Sequence, residues 1–136
     1  MTLNAVSVDI VTLLDDNSFG TAGTDLFGME WGQVNGQDVD NQILVIDTSG
    51  VPSDLKDLYE QPAFQILVRG DRKKSTKDVH DQIRAIHEFL MAQGTIIINT
   101  TSYREFEYNS LPNAVGRDEN DRYVYSANYW TYRNPT

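Results

Sequence analysis

"AFQILVRGDRKKSTKDVHDQIRAIHEFLMAQG", Ala63 to Gly94, carries two hydrophobic periods back to back. Its first residues are apolar and β-branched, follow Pro62 and stop at Gly70, which reads as a strand. Beyond Ser75 the period lengthens. Val79, Ile83, Ile86 and Leu90 form one helical stripe; Ser75 or Thr76 can cap it, Asp78 lies in the first turn and Gly94 follows the end. A strand followed by a one-sided helix predicts that the stripe lies on a sheet. The join, "RGDRKK" from Arg69 to Lys74, is the best candidate in the chain for touching an anion, against the plainer reading of a solvated turn.

Outward from this pair, Leu3, Val6, Ile10, Leu13 and Leu14 recur at helical spacing, so residues 3–16 read as an amphipathic first helix. Residues 17–41 are rich in glycine and acid and show no sustained period. They read as a long loop or arm, and Phe27 and Trp31 are apolar enough to order it against a partner or against its own core. "ILVIDT", Ile43 to Thr48, reads as a strand, and "SGVPSDLKDLYEQP" as the turn region after it. Thr95 to Tyr108 reads as one long strand, Arg122 to Arg133 as another, and residues 133–136 as a frayed tail. The expectation is a single α+β domain over 1–136. It has a mainly antiparallel sheet of about four strands, two helices packed on one face, and a long glycine-rich acidic arm.

The chain has 136 residues, eleven basic against twenty acidic, for a formal charge of −9, so as a whole it repels phosphate backbones and anionic lipids. With no cysteine, thiolate chemistry and sulfur-ligated metals are excluded. No apolar run approaches the roughly 20 residues that span a bilayer. The first residues lack the basic stretch and unbroken apolar run of a secretory signal, so synthesis in a cytosol is expected.

Chemistry is sought and not found. His80 and His87 lie seven apart on the long helix, but Arg84 between them opposes a metal, and a polar helix flank beside a subunit contact is the better reading. Asp118, Asn120 and Asp121 suggest a calcium loop, yet the fifth and sixth positions counted from Asp118 are Arg122 and Tyr123, where an oxygen ligand and glycine belong. Asp118 and Glu119 have nothing to desolvate one of them into a general acid. No nucleophile elbow, phosphate-binding glycine loop or paired-histidine zinc motif is present. No catalytic residue, cofactor or metal ligand is therefore expected. Tyr123, Tyr125 and Tyr129 fall on one side of the last strand and Val124, Trp130 and Tyr132 on the other, so one side is expected to meet the core and the other something else.

Four segments occur in a familiar order: "GTAGTDLFG" after the first helix, "IDTSG", "LYEQPAFQILVRG" before the second, and "LPNAVGRDENDRYVYSANYW" at the end. With them the chain resembles the tail terminator proteins of long-tailed bacteriophages, also described as minor capsid or tail-completion proteins. Gly32 to Asn41 matches no family feature. The resemblance implies a structural virion protein that forms a homohexameric ring on the head-proximal end of the tail. There it caps the tail tube protein, stops polymerisation and presents a joining surface to the head-completion or connector protein. It implies no enzyme and no membrane, assembly in the host cytoplasm, and DNA passing through the channel without specific binding. Arg117, Asp118, Glu119 and Arg122 are then expected to pair across a subunit boundary, with Tyr125 and Tyr129 supplying apolar contact and Arg69, Phe27 and Trp31 as further contacts, against the plainer reading of a charged hairpin turn that pairs only within itself. The rival readings are another connector or tail-tube component, and a small metal-dependent enzyme. Tube subunits are β-rich with long hairpins, and two clear helices argue against that rival.

Overall fold

The structure, a computed structural model, describes residues 3–54, 59–71, 73 and 75–134. Two helices, α1 (Val6–Asp16) and α2 (Thr76–Met91), accompany ten strands: β1 (Leu26–Gly28), β2 (Gln33–Val34), β3 (Gln37–Asp38), β4 (Gln42–Asp54), β5 (Tyr59–Arg69), β6 (Ile96–Ile98), β7 (Thr101–Tyr103), β8 (Glu107–Tyr108), β9 (Asn113–Arg117) and β10 (Tyr123–Trp130). The chain is α+β, as expected, with both helices on one face of a mostly antiparallel sheet. That sheet has six strands, not about four. Its order is β1-β4-β5-β10-β8, with β9 also on β10, and only the β1–β4 pair is parallel.

Alternation along the strands divides the sheet into two unlike faces. Ile43, Val45, Phe64, Ile66, Val68, Ala127 and Tyr129 point to one face and form a single core with Val6, Ile10 and Leu14 of α1 and Val79, Ile83, Ile86 and Leu90 of α2. The registers Ile43↔Val68, Val45↔Ile66 and Ile66↔Ala127 keep that face continuous across the three central strands. Helix α2 begins at a capping box: Asp78 N–H donates to Ser75 Oγ at 3.2 Å and Ser75 N–H to the Asp78 carboxylate at 3.4 Å. Helix α1 has no side-chain cap of its own; instead Ser7 N–H and Oγ donate to the carboxylate of Asp47 on β4, at 2.9 and 2.7 Å. A carboxylate at a helix N-terminus also meets the positive end of its dipole.

Three expectations are corrected. The long strand over 95–108 is broken, because Asn99 and Thr100 take φ of 47° and 68° and turn β6 back onto β7 as a hairpin. Tertiary contact overrides local β preference there: Asn99 Nδ2 donates to Asp9 at 2.9 Å and to Thr12 at 3.0 Å, fastening the turn to α1. The turn region over 49–62 is mostly strand, since β4 runs on to Asp54 and β5 starts at Tyr59 as one long hairpin; Leu55 to Leu58 lie outside the described residues. The tail expected to fray from residue 133 is tied in through Arg133, which is buried. Its backbone exchanges two hydrogen bonds with Glu60 (2.9 and 3.0 Å), and its guanidinium binds the Glu60 carboxylate, the Asn4 carbonyl (2.8 Å) and Tyr103 Oη (3.0 Å). Tyr103 in turn donates to Asp9, which is fully buried and also accepts from Asn4 at 3.0 Å. Pro135 and Thr136 lie outside the described residues.

Candidate functional site

The second face of the sheet is where most of the singled-out residues meet. At one end it presents Gln42, Arg69 and Val124, side by side on β4, β5 and β10, and all three are buried. What covers them is the segment expected to be a long loop or arm. Residues 17–25 lead to β1, which joins the sheet, so Leu26 enters the core. Residues 30–41 form a strap folded across the second face. Its tip is a two-residue hairpin, β2 to β3, turning through Asn35 and Gly36 with φ of 52° and 75°. Left-handed values at both central residues are what an Asn-Gly pair supplies most readily.

Three devices hold the strap. Gln42 is a clasp: its Oε1 accepts Gly32 N–H at 2.9 Å while its Nε2 donates to the carbonyls of Gly32 (3.3 Å) and Val39 (2.7 Å). The Trp31 ring lies over the Arg69 guanidinium, 4.2 Å from centroid to Cζ. The third device is an ionic cluster. Asp38 bridges two guanidiniums, with Oδ1 at 2.9 Å from Arg69 and Oδ2 at 2.8 Å from Arg122. Arg122 also meets Asp40 at 3.0 Å and Asp118 at 2.9 Å, and Arg69 donates to the Val39 carbonyl at 2.6 Å. Both arginine side chains are 4% exposed, so they sit where an unpaired charge is not tolerated. Arg69 Nε is buried without a partner.

The cluster sets its own ionisation. Burial raises the Asp38 carboxyl, but the hydrogen bond from Arg122 and the charges of Arg69 and Arg122 outweigh it and hold the group below the usual carboxylate range. Asp118 is lowered in the same way: burial opposes, and the backbone and guanidinium of Arg122 with the Asn120 backbone prevail. Burial lowers Arg122, and its bonds to Asp38, Asp118 and Asp40 more than compensate, so its pKa is raised. The arrangement is ionised on both sides at neutral pH. It binds and orients; it offers no group poised to exchange a proton.

The other expected contacts divide between the interior and the surface. Asp118 organises the β9–β10 turn by accepting Asn120 N–H and Arg122 N–H, both at 3.0 Å. Arg117 and Glu119 are exposed, and the Arg117 guanidinium lies over the Tyr123 ring at 4.0 Å and bonds the Asp121 carbonyl at 3.0 Å. Tyr129 is buried in the core, stacked on Phe64 at 5.5 Å, and shares a hydrogen bond with His87 Nδ1 at 2.8 Å. The tyrosine side of β10 is thus the side under α2, and Tyr125 is half-buried there against His80 at 5.6 Å. His87 is buried and not on a polar flank; burial first, then the charge of Arg84, lowers its pKa. Phe27 packs its ring on Gly32, where an added Cβ would come within 2.2 Å. Within "RGDRKK", Arg69 is inward and Arg72 and Lys74 lie outside the described residues.

Sequence reading missed Asp38, Asp40 and Gln42. A signal was present: Asp38 and Asp40 alternate around Val39, placing two carboxylates on one side of an extended segment. Among the described residues no group of three His, Asp or Glu is gathered to hold a metal, and no helix is long and apolar enough to cross a membrane. A comparison with curated proteins finds no match. The family described as bacteriophage tail terminator protein matches residues 13–132, from the last turn of α1 to just past β10. The chain belongs to the bacteriophage tail terminator family, and so is a structural protein of a phage tail.

Proposed function

We propose that this protein closes into a six-fold ring on the head-proximal end of the tail tube, halts tube growth there, and presents the surface on which the head connector seats. The family match over residues 13–132 carries this reading. A ring that matches the last tube layer on one face and offers no repeat of that layer on the other ends a polymer by shape alone, without chemistry. The exposed Arg117 and Glu119 at the β9–β10 turn, with Trp31 of the strap, Phe27 of β1 and, on the helix-covered face, Tyr125, are the contacts proposed for neighbouring subunits or rings. A charge of −9 per subunit favours a channel through which DNA slides without sticking. The long β4–β5 hairpin favours one second reading, a tube component; two helices packed on the sheet favour the terminator.

Both readings are tested by adding purified protein to polymerising tail tube subunits and measuring tube length by electron microscopy. A terminator shortens or fixes the length, caps one end only, and appears as six-fold rings when imaged alone. Tubes that lengthen by incorporating the protein along their sides or shafts would replace the proposal with the tube-component reading.

A further inference from the structure

We propose that the outer side of α1, with the end of β1 beside it, is a docking surface for a basic segment of a partner protein, which seats one large apolar side chain between Val8 and Met29. The surface lies on the opposite edge of the sheet from β9, so it adds an interface to the contacts proposed above and does not require the ring. Three observations carry it. First, the charge of the chain is divided unequally. Residues 1–55 hold nine Asp and Glu and no Lys or Arg, whereas residues 56–136 hold eleven of each sign, so the whole excess of −9 belongs to the first part. That part is α1, β1, the strap and β4. Of its carboxylates, only Asp38 and Asp40 enter ion pairs among the described residues.

Secondly, an apolar groove of about 310 Å³ opens within this acidic part, lined by Ser7, Val8, Val11 and Thr12 of α1 and by Gly28 and Met29. That volume is at the lower end of what binding pockets enclose, enough for a side-chain anchor. Both hydroxyls in the lining are engaged, Ser7 Oγ by the Asp47 carboxylate at 2.7 Å and Thr12 Oγ1 by the Val8 carbonyl at 3.2 Å, so the groove offers hydrocarbon and a thioether. Val8 is 43% and Met29 60% exposed, and an anchor placed between them buries both. The rim is acidic: Glu30 follows Met29, Asp16 lies one turn beyond Thr12 on α1, and Asp47 is bonded to Ser7, all three exposed. An apolar seat rimmed by carboxylates selects an apolar side chain flanked by Lys or Arg, and repels nucleic acid. A second copy brings no excess of cations to it, since residues 56–136 are neutral in sum. Thirdly, Met29 is held there at a cost. Its N–H is fixed to the Val45 carbonyl at 2.8 Å, and its φ of 76° is left-handed, which glycine adopts freely and methionine does not. The turn needs no side chain at this position, yet a long, adaptable apolar one projects into solvent. Strain of this kind gathers at ligand contacts.

The test selects short random peptides, displayed on yeast, against the 136-residue chain and measures the enriched ones by isothermal titration. They are expected to carry a large apolar residue flanked by Lys or Arg, and to bind more weakly as salt rises. Val8→Asp separates the groove from charge in general. It adds a carboxylate to the first turn of α1, where one is favourable, so the helix is retained. A carboxylate in the seat should weaken binding at least about tenfold, whereas attraction by charge alone would tighten it and overturn the proposal. Met29→Gly relieves the left-handed backbone and removes one wall, so the fold is kept while binding falls by a similar factor. Glu30→Lys, on the rim, should cost about two- to fivefold. Enriched peptides that are acidic, or that bind the variants as tightly as the parent chain, overturn the proposal. So does light scattering in which the parent chain is multimeric and Val8→Asp a single chain, because the occupant is then a second copy.

Discussion

The two faces of the sheet are held by different physics. Under the helices lies a continuous apolar core with fully buried Ile, Leu, Val and Phe, whose stabilisation scales with area and is not subject to charge screening. Under the strap lie two buried arginines answered by three carboxylates that are 23–60% exposed. Such an ionic cover adds little net stability, because desolvation consumes most of the attraction, but it fixes position closely. The expectation is therefore that the strap is released more easily than the body unfolds.

The largest effect separates the faces most sharply. Phe64 is fully buried, stacks on Tyr129 and meets Phe106 edge-on at 5.9 Å. Phe64→Ala is expected to lose about 3–5 kcal/mol in urea unfolding, with the denaturant slope unchanged. Arg122→Met keeps the stem and removes the charge. Asp38, Asp40 and Asp118 are open enough to rehydrate, so the expected loss is smaller, about 2 kcal/mol, confined to the strap. Hydrogen exchange should quicken across residues 30–41 while α2 stays protected. If Arg122→Met weakened the whole domain as much as Phe64→Ala, the strap would belong to the cooperative core and the distinction between the faces would fall.

This contrast also explains what could be read from the sequence. The helix-covered face was legible because burial imposes periods: the stripe Val79, Ile83, Ile86, Leu90 and the alternation of Phe64, Ile66 and Val68 are local, repeated signals. The strap was not, since its partners lie far along the chain. Asp40 meets Arg122 across 82 positions and Asp38 meets Arg69 across 31. No local pattern distinguishes a carboxylate bound for a buried arginine from one left in water. The same limit hid Arg133, whose tie to Tyr103 spans 30 positions, and let a hairpin at Asn99 pass as a straight strand. Of the charged turn "GRDENDR", Asp118 and Arg122 take part in the cluster, and they pair within the subunit.

Acid should open one face before the other. Asp38 and Asp118 both ionise lower in the folded chain than the roughly 3.9 of an unfolded aspartate. Their contribution is therefore complete above that value and is lost as pH falls through the lower folded values, below about pH 4. The chain has two tryptophans, so a Trp130→Phe background leaves Trp31, stacked on Arg69, as a reporter of strap release. Its fluorescence should change at a higher pH than the helical circular dichroism, and 1 M salt, with a Debye length of about 3 Å, should move it further up. Coincident transitions would mean that the strap and the core let go together.

The smallest effect on stability is expected from the residue proposed to matter most outside the subunit. Arg117 is 42% exposed and its ion pair with Asp121, at 3.2 Å, has a partner that is 72% exposed, so solvent already screens it. Arg117→Glu should leave the unfolding midpoint nearly unmoved, within about 0.5 kcal/mol. Its guanidinium nevertheless sits on the half-buried Tyr123 ring at the turn between β9 and β10, near Glu119. The use proposed for this cation is to meet another chain's carboxylate. The reversal should therefore abolish or sharply weaken ring closure, read by light scattering and imaging, while circular dichroism stays as it was. If rings and head joining persist, the β9–β10 turn pairs only within itself, and the boundary between subunits lies elsewhere on the molecule.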